Sequence, residues 1–167
     1  MKRLSVFALL IVFTLSVYSQ RCFDYKRYKR EKYGLSCSNI TPANVDSSFT
    51  NLIKMDTNTI GNGLDEYFHD LGMAATFYGV YHKEKRKEYA YMAIKCFIRS
   101  IQLNPSDPGN YYEIIFVCMS LNDYKTAKDF VEPYEKLTPI ENREKYITDW
   151  LNKSTDEYFK SPPKKTE

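Results

Sequence analysis

Apolar residues recur at a spacing of three to four over most of the chain from residue 64 onward. This period is typical of amphipathic helices and predicts helices over 64–81, 87–103, 108–121, 124–137 and 141–160. The first of these segments shows the pattern with Leu64, Phe68, Leu71, Ala75 and Tyr78. The sequence therefore predicts an all-α fold of antiparallel helix hairpins, closed by a C-terminal helix at 141–160.

The expected helix starts carry recognisable capping residues. Thr41-Pro42 and Asp107-Pro108 each place a capping side chain before a proline at the first helical position. Asn62 is a candidate cap for the helix over 64–81, and Asn122-Asp123 predicts a tight turn. Thr138-Pro139-Ile140-Glu141 has the spacing of a capping box, which predicts that the last helix begins there.

Two stretches of the chain match each other at a fixed offset of 34 residues. The matching pairs are Ala93 with Ala127, Phe97 with Val131, Leu103 with Leu137, and Pro105 with Pro139. A small residue lets two helices approach, a bulky residue one turn later fills the gap between repeats, and a proline ends the helix. The offset therefore predicts two copies of one helix-pair unit.

This pattern resembles the tetratricopeptide repeat (TPR) family over residues 64–140, most closely over 87–108. The resemblance implies a short solenoid whose concave groove, lined by the first helix of each copy, binds a peptide. The implied groove residues are His69, Met73 and Thr76 in the first copy, and Tyr112, Phe116 and Met119 in the second. An alternative is that Phe116 and Met73 pack beneath the last helix or the N-terminal segment.

The copies depart from the family pattern in ways that change the expected shape. Leu71-Gly72 lies about nine residues further from Ala93 than the family spacing, so the first hairpin should be longer. Ile115 replaces a small residue, and Pro133 lies inside a predicted helix. Two copies are short for a stable array, so the N-terminal segment, the last helix or a homodimer contact should cover the open ends.

The N-terminus has the features of a secretory signal peptide. Lys2 and Arg3 precede a mostly apolar run over 4–17, and Val17 and Ser19 suit cleavage after Ser19. We expect a periplasmic or secreted protein, with an uncleaved membrane anchor as the alternative. The predicted organisation is a signal peptide at 1–19, a partly irregular segment at 20–60, a TPR-like domain at 61–160 and a disordered tail at 161–167.

Composition narrows the function classes. The 167 residues include 43% hydrophobic residues, so the chain can build a core, and its formal charge of +3 falls to about +1 without residues 1–19. This charge argues against a nucleic-acid partner or an acidic-tail protein. Bases alternate with tyrosines over 25–33, and we interpret this stretch as a solvated segment rather than as an anionic-surface site.

Residues with obvious chemistry are few. His69 and His82 are the two histidines, and no hydrolase, metalloprotease or phosphate-loop motif is present. The acid pair Asp65-Glu66 is explained by the positive end of a helix dipole. We therefore expect no catalytic residue, metal or cofactor.

The four cysteines fall into two pairs. Cys22 and Cys37 lie in the polar N-terminal segment, and a bridge between them would contribute roughly 3 kcal/mol by closing a loop of about 15 residues. Cys96 and Cys118 lie on consecutive predicted helices, where a bridge and two buried thiols are both possible.

These expectations combine into an exported, non-enzymatic adaptor that binds another protein or a peptide in a TPR-like groove. A narrower alternative is an exported inhibitor or immunity-type protein that blocks one enzyme or toxin. An alternative of another class is a small helical envelope hydrolase, which would need a cleft where acids or histidines converge.

Overall fold

The computed structural model describes residues 23–25, 35, 40–143 and 147, and of Phe23 and Asp24 it describes the backbone alone. Over these residues the chain is mostly helical, which confirms the all-α class. Its helices are α1 (Pro42–Ile53), α2 (Leu64–Tyr81), α3 (Arg86–Leu103), α4 (Pro108–Ser120) and α5 (Tyr124–Leu137). Two short parallel strands, β1 (Phe23–Asp24) and β2 (Ile60–Asn62), tie the N-terminal segment to the start of α2.

Local sequence explains where most helices begin. The side chains of Thr41 and Asp107 each accept a backbone N–H at the start of α1 and α4, and a proline follows in both cases, as predicted. Helix α2 begins differently. Its cap is Gly63, whose φ of 78° lies in the left-handed region and which makes no side-chain cap hydrogen bond. The prediction that Asn62 caps this helix is therefore wrong.

The tight turn predicted between α4 and α5 is present. Asn122 adopts a φ of 59°, a left-handed conformation that asparagine tolerates better than most residues. Asp123 then caps α5, because its carboxylate accepts the backbone N–H of Thr126 at 3.2 Å and the Thr126 hydroxyl at 2.8 Å. The turn is thus specified by two adjacent residues.

The segment after α5 differs from the prediction, which was a capping box over 138–141 followed by a helix over 141–160. Residues Ile140–Asn142 form a short 3₁₀ turn, and Arg143 is extended. The Arg143 guanidinium donates to the carbonyl oxygens of Thr138 at 3.0 Å and Glu135 at 2.7 Å, which holds the turn against the end of α5. Ile147 is helical and buried. The remainder of the predicted closing helix and the 161–167 tail lie outside the described residues.

Each described helix packs against its neighbours in sequence around one core. The repeat positions Ala93, Phe97, Ala127 and Val131 are buried, whereas Pro105 and Pro139 are exposed after the ends of α3 and α5. Gly72 allows α2 to approach α3 closely. A β-carbon at Gly72 would lie 2.6 Å from the Phe97 ring, well inside van der Waals contact.

Hydrogen bonds show which helix ends meet. The Ser100 hydroxyl near the end of α3 donates to the Asp65 carbonyl at the start of α2, at 2.8 Å. Arg86 at the start of α3 donates to the Ser120 carbonyl at the end of α4, at 3.5 Å. The end of α3 therefore lies beside the start of α2, and the start of α3 lies beside the end of α4.

The structure decides between the two possibilities for Cys96 and Cys118. Both are free thiols buried in the core, so the bridge between them is not formed. Burial raises the pKa of Cys96 to about 11 and that of Cys118 to about 12. Such thiols remain protonated and behave as small apolar side chains. The predicted Cys22–Cys37 bridge lies outside the described residues.

The alternative of an uncleaved membrane anchor concerns residues 1–19, which also lie outside the described part of the chain. Among the described helices, none combines the length and apolar character needed to cross a bilayer.

Candidate functional site

A polar cavity of about 150 Å³ lies where the start of α2, the end of α3 and the start of α4 meet. Residues from the N-terminal segment, from α2, from the end of α3 and from the turn before α4 line it: Tyr25, Asp65, Glu66, His69, Asp70, Ser100, Asn104 and Asp107. The cavity joins residues that are up to 82 positions apart in sequence. Its walls therefore depend on how the helices pack.

Asp65 is held by the end of α3. Its backbone carbonyl accepts the Ser100 hydroxyl, and its carboxylate accepts the Asn104 side-chain amide at 3.1 Å. The carboxylate also lies in the first turn of α2, where the helix dipole favours negative charge. These interactions fix one acidic wall in place.

Tyr25 forms a second wall and is only 1% exposed. Its hydroxyl donates to Asp70 at 2.8 Å, and its ring packs edge-on against Tyr67 with centroids 5.4 Å apart. Burial and the adjacent Asp70 charge raise the pKa of Tyr25 strongly, so the hydroxyl remains a donor to the carboxylate. Tyr67 in turn donates to the Leu52 carbonyl at 3.0 Å, which links this wall to α1.

His69 connects α2 to α4. Its Nδ1 lies 3.1 Å from the Asn110 side-chain oxygen, and the Asn110 amide nitrogen donates to Asp107 at 3.1 Å. Because that amide donates to a carboxylate, its oxygen faces His69, and an oxygen acceptor requires that Nδ1 of His69 donates. The ring also packs against Phe97 with centroids 5.7 Å apart.

The cavity is acidic. Four of its lining residues carry carboxylates (Asp65, Glu66, Asp70 and Asp107), and neither lysine nor arginine is among the described residues that line it. Beside it, burial raises the pKa of Glu113, while His69 acts in the opposite direction. Within the described residues, no group of three potential ligand side chains is arranged to hold a metal ion.

A stripe of residues continues from this cavity along α2. His69, Met73, Thr76 and Val80 follow each other at helical spacing and so share one face. Val80 is 48% exposed, although it was not among the predicted groove residues. Met73 and Thr76 are partly buried, and the Thr76 hydroxyl donates to the Gly72 carbonyl at 3.0 Å.

The predicted groove residues of α4 have unequal environments. Phe116 is 47% exposed, whereas Tyr112 and Met119 are partly buried against the core. The Tyr112 ring lies 6.0 Å from that of Tyr134 on α5. Glu113, which lies on the same helix, interacts electrostatically with His69 on α2. Of the six predicted groove residues, Phe116 is therefore the exposed one.

His82 lies elsewhere. Its Nε2 is 3.1 Å from the Asp46 carboxylate on α1, and its ring stacks on Tyr78 at 4.0 Å. The two histidines therefore have separate structural partners.

The sequence predicted neither the polar cavity nor the exposed position of Val80 on the His69 face of α2. The acids at the start of α2 have a sufficient local explanation, and nothing in the sequence links them to Tyr25 or Asp107. Val80 could have been found by extending the His69 stripe one further turn.

No family model matches the chain, and comparison with curated proteins and with solved structures finds no significant similarity.

Proposed function

We propose that this chain is a non-enzymatic module that binds an extended segment of another protein or a peptide between α2 and α4. The observation that carries the proposal is the pair of exposed apolar side chains, Val80 on α2 and Phe116 on α4, which lie further along the two helices whose starts meet at the polar cavity. An apolar surface next to convergent polar groups is the usual composition of a binding groove.

In this proposal the helices form a short TPR-like solenoid, with α2 and α3 as one antiparallel hairpin and α4 and α5 as the next. The meeting of the helix ends at Ser100 and Arg86 supports this arrangement. So does the close approach of Gly72 to Phe97, which brings α2 against α3 at one of the bulky repeat positions. The proposed site of action is outside the cytoplasm, after cleavage of residues 1–19. Mass spectrometry of the native protein tests this through an N-terminus at Gln20.

Selection from a display library of random twelve-residue peptides tests the binding function. We expect the purified chain to enrich a family of related peptides. A Val80→Ser/Phe116→Ser double variant should bind those peptides about tenfold more weakly or worse in fluorescence anisotropy, because apolar anchors dominate such interfaces.

The matched control is Ile53→Ser, which removes an equally exposed apolar side chain (49%) from α1. It should bind the selected peptides like the parent. Circular dichroism melting of all variants separates lost binding from lost folding. If no peptide is enriched, or if both variants bind equally, the groove is not the binding site.

One observation favours hydrolysis as a second candidate function. The cavity brings a histidine and four carboxylates together, as a helical envelope hydrolase would require. Chromogenic esters, phosphate esters and glycosides provide the test. Hydrolysis requires turnover by the parent and its loss in His69→Gln, whereas the binding function predicts no turnover that depends on His69.

A further inference from the structure

The corner between α2 and α3 carries exposed apolar and basic side chains next to each other. Val80 and Tyr81 end α2 and are 48% and 40% exposed. The basic tract that follows them consists of four exposed cations: Lys83, Lys85, Arg86 and Lys87. We propose that the segment bound by this chain carries an acidic residue within about three positions of the apolar residue that contacts Val80. This inference rests on the proposed binding function and specifies its ligand.

Close packing of the two helices holds the basic tract beside Val80. A β-carbon at Gly79 would lie 3.5 Å from the α-carbon of Arg86. Val80 is the next residue, and consecutive α-carbons are about 3.8 Å apart, so the α-carbons of Val80 and Arg86 lie within roughly 9 Å of each other. An extended ligand covers about 3.3 Å per residue, so about three residues span this distance.

Charge determines which ligand residue the basic tract favours. Its four cations are interrupted by a single acid, Glu84, so the tract attracts a carboxylate and repels a second basic group. Among the described residues, no ion pair involves Lys83 or Lys85. Their ammonium groups can therefore donate to a ligand carboxylate without giving up an ion pair to another described side chain.

The other two cations of the tract have contacts that hold them at this corner. Arg86 donates to the Ser120 carbonyl at the end of α4, at 3.5 Å, and the Lys87 ammonium lies 5.9 Å from the centre of the Tyr91 ring. Tyr91 is itself 43% exposed. The positive charge is thus placed between the ends of α2 and α4 before a ligand arrives.

The position of Val80 on α2 connects the tract to the proposed binding face. Val80 follows His69 by eleven residues, about three helical turns, and so lies on the same face of α2. His69 contacts Asn110 on α4 through its Nδ1, at 3.1 Å. A segment that follows this face along α2 therefore passes Val80 and then reaches the basic tract.

The peptides selected from the display library provide the test. We expect them to share an aspartate or glutamate within about three positions of an apolar residue. Lys83→Gln/Lys85→Gln should bind them about fivefold more weakly in fluorescence anisotropy, since exposed charge pairs are individually weak and two are lost. Glu84→Gln should bind them about twofold more tightly, because it removes the negative charge inside the tract. Both effects should shrink as salt is raised.

Lys54→Gln/Lys95→Gln is the matched control, since it removes the same charge from exposed positions elsewhere. Lys54 follows the end of α1, which Tyr67 ties to the first turns of α2, and Lys95 lies eight residues after Lys87, about 12 Å along α3. This control should bind within about twofold of the parent, because charges at that distance are screened. Thermal melting checks that the variants are folded, and Lys83→Gln alone replaces the double variant if that one is not.

The outcomes separate this inference from the function beneath it. Enriched peptides that lack a shared acidic residue, yet lose binding in Val80→Ser/Phe116→Ser, overturn the acidic ligand and leave the binding function intact. Equal weakening by the two lysine variants also overturns it. If those peptides lack acids and the parent sediments with phosphatidylglycerol vesicles more than Lys83→Gln/Lys85→Gln does, the tract meets a lipid surface instead. Enrichment of no peptide at all overturns both.

Discussion

Replacing Gly72 with alanine tests the close approach of α2 to α3. A β-carbon at this position would lie 2.6, 2.8 and 2.9 Å from three atoms of the Phe97 ring. Phe97 is fully buried, so its ring cannot swing into solvent. Overpacking of this kind costs about 1–3 kcal/mol, and three simultaneous contacts favour the upper half of that range.

A second effect acts in the opposite direction. Alanine is more favourable than glycine inside a helix by about 1 kcal/mol, and Gly72 lies in the middle of α2. The net expectation is that Gly72→Ala lowers the free energy of unfolding by about 1–2 kcal/mol. Urea unfolding followed by circular dichroism in the helical band measures this, with the m-value checked for two-state behaviour.

A double-mutant cycle identifies the cause. Phe97→Leu removes the ring atoms that the new methyl group would meet, so Gly72→Ala should be less harmful in that background, by about 1 kcal/mol. Gly72→Ala that is as stable as the parent would refute the close approach of α2 and α3. A cost that is unchanged by Phe97→Leu would place the clash elsewhere.

Three further predictions concern the core and its titrating groups. Ala93→Leu and Ala127→Leu should each cost about 1–3 kcal/mol in urea unfolding, since both alanines are fully buried; melting like the parent would show that the repeat register is wrong. Because burial raises the pKa of Glu113, the native state holds its proton more tightly, so charging this group lowers stability as pH rises above the usual glutamate range. Glu113→Gln should therefore raise the melting temperature near neutral pH, and the gain should shrink as the pH falls toward the usual glutamate pKa of about 4; a constant gain would contradict this cause. Cys96 and Cys118 should resist iodoacetamide at mildly alkaline pH in native protein and react in urea, as resolved by peptide mass spectrometry; equal rates in both conditions would contradict their burial.

The local sequence was sufficient for most of the helices. Apolar periodicity predicted the bounds of α2 and α5, and Thr41 and Asp107 were correctly identified as caps. These features depend on residues within a few positions of one another, so a short stretch of sequence carries the necessary information. The local prediction failed at Gly63, next to Asn62, which pairs with Asp24 in the two-stranded sheet. It also failed at the turn after Pro139, which Arg143 holds against the end of α5.

The candidate site required the tertiary structure. Tyr25, Asp70 and Asp107 belong to three separate segments, and no periodicity or spacing relates them. The same holds for the two thiols, because sequence placed Cys96 and Cys118 on consecutive helices and packing decided that they remain unbridged. Helix formation is governed by neighbouring residues. A cavity, by contrast, is the space that remains between helices after their side chains have packed. The assembled core therefore decides which charged side chains line the same cavity.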